Sequence, residues 1–280
     1  MQIIDSVQEM RSVAAQFKQA GKTVALVSTS GALHAGHAAL IATAEERADV
    51  VVVTAFVNPL AFGSSENLGS YPRRPESDAT FCEELQVDVL FTPSADEMFP
   101  RGFSTYVTEE IISKPLCGIS RPTYFRGVTT GLAKLLNIIR PDVVVTGQRD
   151  AQQAAVVRKM IEDLCFGIDV VVTPIVRESD GLALTVRNRE LSAGQRQEAL
   201  AIYGALVQSQ EMVAQGVRST DRVIAEVTHL LGERRRIRMI YVSMVDPATM
   251  DPVREIVPGK TLLAIAAWID EVRLIDNVML

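Results

Sequence analysis

Five short runs within the first 175 residues are apolar almost without interruption: 23–28, 50–57, 87–92, 142–146 and 168–176. The run "VVVVTAFV" (50–57) shows the type. It does not alternate apolar with polar residues, so neither face of such a strand is suited to water. A sheet of these strands must be covered on both sides. Parallel sheets are covered in that way because each crossover lays a helix on a face. Helical spacing appears between the runs, at 6–20, 37–48, 75–85, 128–139 and 151–164. Alternation of this kind builds right-handed crossover units, so the expected fold class is α/β, a doubly wound, Rossmann-like parallel sheet. Ligands of such sheets bind outside the carboxyl ends of the strands, near the point where the winding reverses.

Beyond Pro174 the pattern changes. "VRESDGLAL" (176–184) reads as a connection, with Ser179-Asp180-Gly181 as its turn signal. Two long helical stretches follow at 193–215 and 220–233, then strand-like runs at 237–245, 261–267 and 271–274. This pattern predicts a Rossmann-like domain over residues 1–175 and a smaller α+β domain over 176–280, hinged on the first.

A formal net charge of -6 argues against a general nucleic-acid binder, which presents a basic face. The one basic run, Arg234-Arg235-Arg236, reads as a solvated helix end. No apolar run approaches the ~20 residues of a membrane-spanning helix, so no membrane partner is expected. Cys82, Cys117 and Cys165 are widely spaced and form no Cys-x-x-Cys pair, which suits reduced thiols. The start, "MQIIDSVQEM", carries acidic residues and does not read as a secretory leader. The expectation is a soluble cytoplasmic protein.

The stretch "TSGALHAGHAAL" (29–40) lies where the first apolar run gives way to a helix. A helix start presents unpaired N–H groups and a partial positive charge, which favour phosphate. Gly36 permits close approach to the backbone, since it lacks a Cβ. His34 and His37, three apart, face one side. Each imidazole can donate to a phosphoryl oxygen whose charge grows during reaction at an α-phosphorus. The turn therefore suits adenylyl or nucleotidyl transfer. Two plainer readings stand beside this one: a metal pair, for which no nearby third ligand is spaced, and surface residues that merely cap the helix.

Further motifs follow in order: "FVNPLAFG" (56–63), "YPR" (71–73), "LCGISRP" (116–122), "FRGV" (125–128), "GQRDAQQ" (147–153), "VRESDGLALTVRN" (176–188), "VDPATM" (245–250) and "RLIDN" (273–277). Together with the histidine turn they resemble the pantothenate synthetase family, whose members join pantoate to β-alanine at the expense of ATP. The resemblance covers almost the whole chain. It implies the HxGH nucleotidyltransferase type of Rossmann fold, ATP and Mg²⁺ as cofactors, small carboxylic acid and amine substrates, and a homodimer. It also implies an acyl-adenylate, formed with release of pyrophosphate and then attacked by the amine to expel AMP.

Residue roles follow from the same likeness. His34 and His37 would stabilise the transferring phosphate, and Gly36 and Gly147 would admit the nucleotide. Asp150 would take the ribose, although from the local sequence it equally reads as a helix N-cap. Arg149 would reach the phosphates, and its alternative is an exposed cation at a helix start, unfavourable against the dipole. Arg187 would close over the ATP from the second domain with Thr185 beside it; without the family it reads as a surface arginine. Gln153 would hydrogen-bond the acid. Asn58 would lie against the acid or simply form a turn. The roles of Arg121 and Arg126 stay open.

Departures from the family pattern surround this site. Ser30 stands where members carry a pocket-lining methionine, and Ala61 where a glutamine contacts pantoate. Tyr124 replaces the histidine before Phe-Arg-Gly. Arg149 replaces lysine, and Val186 replaces the second serine of Ser-Ser-Arg-Asn. Arginine keeps the charge but spreads it over a planar fork. Three enzyme readings follow: the parent reaction with a repacked pocket, a paralogue that adenylates another small acid or uses another amine, and a nucleotidyltransferase acting on a phosphate acceptor. A regulatory protein that binds nucleotide without turnover is the fourth reading. The retained histidine pair argues against it.

Overall fold

A computed structural model describes residues 1–62 and 68–280. Gly63, the last residue of "FVNPLAFG", lies outside the described residues. Six strands form one sheet: β1 (Gln2–Ile4), β2 (Val24–Thr29), β3 (Val50–Ala55), β4 (Val89–Phe91), β5 (Val143–Gly147) and β6 (Asp169–Thr173). Their order is β1-β4-β3-β2-β5-β6, and every pairing is parallel. Helices α1 (Val7–Gln19), α2 (Ala35–Glu45), α3 (Pro75–Glu84), α4 (Ala95–Met98), α5 (Cys117–Ser120), α6 (Tyr124–Ile139) and α7 (Ala151–Asp163) lie between the strands. From β2 the chain winds outward through β3 to β4. It then returns to β5 on the other side of β2 and continues to β6. The reversal falls between β2 and β5, where a doubly wound sheet opens its ligand crevice.

The strand composition is explained by what each face meets. Val24 and Leu26 of β2 join one core cluster with Phe91, Leu136 and Ile139. Ala25 and Val27 of the same strand join another with Ile41, Val51 and Val53. Successive residues point to opposite faces, so a strand buried on both needs an apolar residue at every position.

A smaller antiparallel sheet follows, with β7 (Ile237–Val245), β8 (Leu262–Ile269) and β9 (Val272–Met279) in sequence order. Helices α8 (Ala193–Ala214) and α9 (Thr220–Gly232) pack their Ile202, Leu206, Val223 and Val227 against its Leu263 and Ile265. The other side of this sheet, through Val245, Leu262 and Ala264, meets Leu116, Phe125 and Val156 of the first part of the chain. That seam runs beside the end of β5, where Asn277 of β9 bonds the backbone of Gln148 and Arg149.

Three elements differ from expectation. β1 has only Ile4 buried, too little for an apolar signature. α6 begins at Tyr124 rather than at residue 128, because burial of Phe125 and Gly127 outweighs the helix-breaking look of "FRG". β9 runs through Asp276 and Asn277, polar residues that resemble a strand end yet are buried and bonded. No helix among the described residues is long and apolar enough to cross a membrane.

Candidate active site

β2 ends at Thr29, and five residues carry the chain to α2. Gly31 and Ala32 turn it with φ of 78° and 52°. A buried carboxylate holds the turn: Asp78 accepts from Ala32 N at 2.9 Å and from Leu33 N at 2.7 Å. A Cβ at Gly31 would come within 2.9 Å of Asp78 Oδ2, so glycine answers both the conformation and the contact. Sequence reasoning missed Asp78. The available signal was its spacing of four from Cys82, the other buried residue of α3.

His34 is the N-cap of α2. Its Nδ1 accepts from Gly36 N at 3.1 Å, and Nδ1 of His37 accepts from His34 N at 3.2 Å. The capping reading is therefore correct as far as it goes. It also determines the tautomers: an Nδ1 that accepts is unprotonated, so each neutral ring carries its proton on Nε2. The ring centroids are 4.0 Å apart. Burial lowers the pKa of His34 to about 4, with further lowering from Arg149 and Arg189. Burial lowers His37 to about 3, with His34 and Arg149 adding to the effect. Two neutral Nε2–H donors thus stand at a helix N-terminus beside the winding reversal. Gly36 has a reason inside the protein as well, since a Cβ there would lie 2.8 Å from His34 Cε1.

At the end of β5, a 3-10 turn (Gln148–Asp150) leads into α7. Asp150 occupies the N-cap position of α7, but its side chain makes no capping hydrogen bond. Its Oδ2 instead receives Arg149 Nη2 at 3.0 Å and Nε at 3.3 Å. The turn is held from the second sheet, where Asn277 Nδ2 donates to the carbonyls of Gln148 and Arg149. The neighbouring Asp276 is bonded to Arg177 through both oxygens, at 2.7 and 3.0 Å. "RLIDN" is therefore the fastening between the two sheets. A Cβ at Gly147 would meet only Leu40 at an ordinary 3.8 Å, so protein packing alone does not demand glycine there.

Arg187 reaches the same region from a 3-10 turn (Val186–Glu190) capped by Thr185, whose Oγ1 accepts from Arg187 N at 3.4 Å. Its Nη1 donates to Arg273 O at 3.2 Å. Burial lowers its pKa, and so do Arg121, Arg273 and Arg149 nearby. Buried Arg273 Nε has no partner among the described residues. Four guanidiniums converge here, with Asp150 on one of them, and such a field attracts a polyanion. A cleft is lined by Arg121, Tyr124, Arg149, Asp150, Gln153 and Arg273, among others. Arg187, Thr185, Ser30, Gly36, Gly147 and the histidines do not line it. The charge of Arg149, on its wall, reaches both histidines. Ser30 hydrogen-bonds Tyr71, whose hydroxyl is raised in pKa by burial and which feels Arg187 and Arg149.

Of the remaining expected residues, Gln153 lines the cleft and Asn58 and Ala61 do not. Asn58 Oδ1 accepts from Leu60 N at 3.0 Å, and its Nδ2 donates to Gly127 O at 2.8 Å. It is a turn former tied to α6. Ala61 contributes its carbonyl, which accepts from Arg121 Nη2 at 3.2 Å. The Arg121 guanidinium also stacks on the Tyr124 ring at 3.8 Å. Arg126 lies over Tyr106 at 4.8 Å instead. Two adjacent glutamines divide the work on α7. Gln152 is buried and holds the loop before α5, accepting from Cys117 N and donating to the carbonyls of Ile112 and Pro115. Gln153 accepts from Tyr124 Oη at 2.8 Å.

The arrangement can bind a polyphosphate, donate two N–H groups to a reacting phosphoryl, and present an amide to a small acid. Comparison with known proteins gives the family. A model of the pantoate-beta-alanine ligase family matches residues 2–279. The chain is 42% identical to a pantothenate synthetase of Thermotoga petrophila over 280 residues, covering all of both chains. It is 45% identical to one of Heliobacterium modesticaldum over 279 residues, 100% of this chain and 99% of the other. The crystal structure of pantothenate synthetase from Thermus thermophilus superposes with a TM-score of 0.94 at 37% identity, covering 100% of this chain and 99% of that one. A pantoate-beta-alanine ligase from Francisella tularensis, complexed with beta-gamma ATP and beta-alanine, gives 0.82 at 28% identity, with 100% and 97% covered. By sequence along its whole length and by fold, the chain belongs to the pantoate–β-alanine ligase family.

Proposed function

We propose that this chain joins pantoate to β-alanine through an acyl-adenylate, consuming ATP. In the first step a carboxylate oxygen of the acid attacks the α-phosphorus, and the bond to the β-phosphate oxygen breaks to release pyrophosphate. In the second, the amine nitrogen attacks the acyl carbon, loses a proton, and the bond to AMP breaks. The observation that carries this reading is the pair of neutral Nε2–H donors at the N-terminus of α2, beside converging arginines. Donors fixed in place beforehand stabilise charge that develops on the phosphoryl oxygens without reorganising.

Within that reading, His34 and His37 donate to the α-phosphoryl group, and Gly36 and Gly147 leave room for the nucleotide. Asp150 accepts from the ribose. Arg149, Arg187 and Thr185 hold the phosphates, Gln153 binds the acid, and Ser30, Asn58 and Ala61 shape its pocket. Residues 176–280 act as a second domain that brings Arg187 over the nucleotide. Mg²⁺ would be held by the triphosphate oxygens and water, with Asp150 a carboxylate of the cleft, in keeping with its preference for such ligands. Among the described residues no group of three His, Cys, Asp or Glu is placed to hold a metal. When bound, Mg²⁺ would neutralise charge on the departing pyrophosphate. The enzyme is proposed to be a cytoplasmic homodimer, in which exposed Ile111 and Ile119 are candidates for a covered surface.

A second reading, adenylation of a different short acid, is favoured by Ser30, Ala61 and Tyr124. Acid-dependent ATP–pyrophosphate exchange across pantoate and a panel of hydroxy and branched acids separates the two. Exchange driven most efficiently by pantoate is expected. Exchange with another acid but not with pantoate defeats the parent reaction in favour of the paralogue.

A further inference from the structure

Two side-chain amides stand among the residues expected to meet the acid, Asn58 and Gln153, and the geometry leaves one. Asn58 has its oxygen on Leu60 N and one amide hydrogen on Gly127 O, and it does not line the cleft. Ala61 has no side-chain amide. Gln153 lines the cleft and keeps both amide hydrogens available: its Oε1 is occupied by Tyr124 at 2.8 Å, and its nitrogen has no partner among the described residues. It also stands at the third position of α7, where unpaired backbone N–H groups add to the attraction for an anion.

We infer that Tyr124 is a positioning residue that sets acid recognition in this chain, by holding Gln153 with both amide hydrogens turned to the substrate. A carboxamide can rotate to offer either an acceptor or a donor. With the phenol donating to Oε1, the nitrogen faces away from Tyr124, and the ligand group that pairs with it must be an acceptor, a carboxylate or hydroxyl oxygen. Tyr124 is held in turn. Arg121 covers its ring at 3.8 Å and donates to the carbonyl of Ala61 at 3.2 Å, so the chain of contacts runs Ala61, Arg121, Tyr124, Gln153. A guanidinium and a phenol thus bridge the space beside Ala61 and deliver its support to Gln153. Burial raises the Tyr124 hydroxyl to about 12, with Asp150 contributing, so the phenol remains a donor at neutral pH.

The inference rests on the proposed ligase reading, and its test keeps the two separate. Tyr124→Phe retains the ring under Arg121 and removes only the donor. On whichever acid drives exchange in the wild type, the KM for that acid is expected to rise about three- to tenfold, the effect of one neutral hydrogen bond. The KM for ATP should stay within about twofold on the same grounds, since no phosphate contact changes. Tyr124→His, which restores an N–H donor on a ring, should recover part of the loss. An unchanged KM for the acid, or equal rises for acid and ATP, would overturn the inference. A ligand-free crystal structure of Tyr124→Phe gives a readout independent of turnover. A turned or disordered Gln153 amide supports the role, and an amide that keeps its orientation refutes it even if pantoate proves not to be the substrate.

Discussion

Arg149 lies flat against Asp150, with Nη2 and Nε at 3.0 and 3.3 Å from one carboxylate oxygen. Only a planar fork makes both contacts at once, so this pairing belongs to the arginine that stands where the family has lysine. It draws the proposed phosphate-binding cation and the proposed ribose-binding carboxylate into a single unit, and leaves the second oxygen of Asp150 for a ligand.

Arg149→Ala is expected to slow adenylate formation about a hundredfold, the scale for losing one preorganised group at developing charge. Arg149→Lys keeps the charge and should lose less than about tenfold, because only the forked contact disappears. Single-turnover formation of acyl-adenylate measures both. An alanine variant at the wild-type rate would remove Arg149 from the reaction.

His34→Ala or His37→Ala should each lower adenylation by about two to three orders of magnitude, again the scale of a lost preorganised donor. The pair also shapes stability against pH. Folded values of about 4 and about 3 lie below the ordinary 6.5, so the unfolded chain binds more protons between those limits. Stability is therefore complete above pH 6.5 and declines as pH falls through 6.5 toward 4 and then 3. Urea midpoints at about pH 7, 5.5 and 4.5 should drop more steeply for the wild type than for either alanine variant. Parallel slopes would mean that these imidazoles are not held neutral.

Asp78 is buried and does not line the cleft, yet both its oxygens accept from the turn that carries His34. Asp78→Asn puts an NH₂ against one backbone N–H and should cost about 1.5–3 kcal/mol of stability, the range for a hydrogen bond to a charged group. At a temperature where the variant is fully folded, kcat with saturating ATP should still fall, because the histidines lose their aim. A destabilised variant with normal kcat would make Asp78 a structural residue only.

The layered part of the fold was legible because burial on both faces leaves a one-dimensional trace: β2, β3 and β5 are apolar at nearly every residue. β1 left no such trace, since an edge strand of three residues buries only Ile4. Within the site, the collinear motifs pointed to His34, His37, Arg149, Asp150 and Gln153, and the last three line one cleft. Their partners were not legible. Tyr124 and Gln153 are 29 positions apart, and Asp78 and Leu33 are 45 apart. Nothing local marks such pairs.

The α/β class, the winding of the sheet and the chemistry available at the start of α2 were all written into the order of residues, because periodicity and helix-end polarity are local properties of a chain. The folded molecule alone settles which nitrogen of each imidazole holds the proton, that Asp150 faces Arg149 instead of capping its helix, and that Gln153 offers donors only. Those outcomes depend on hydrogen bonds and burial between distant segments, and they arise only when the chain has closed on itself.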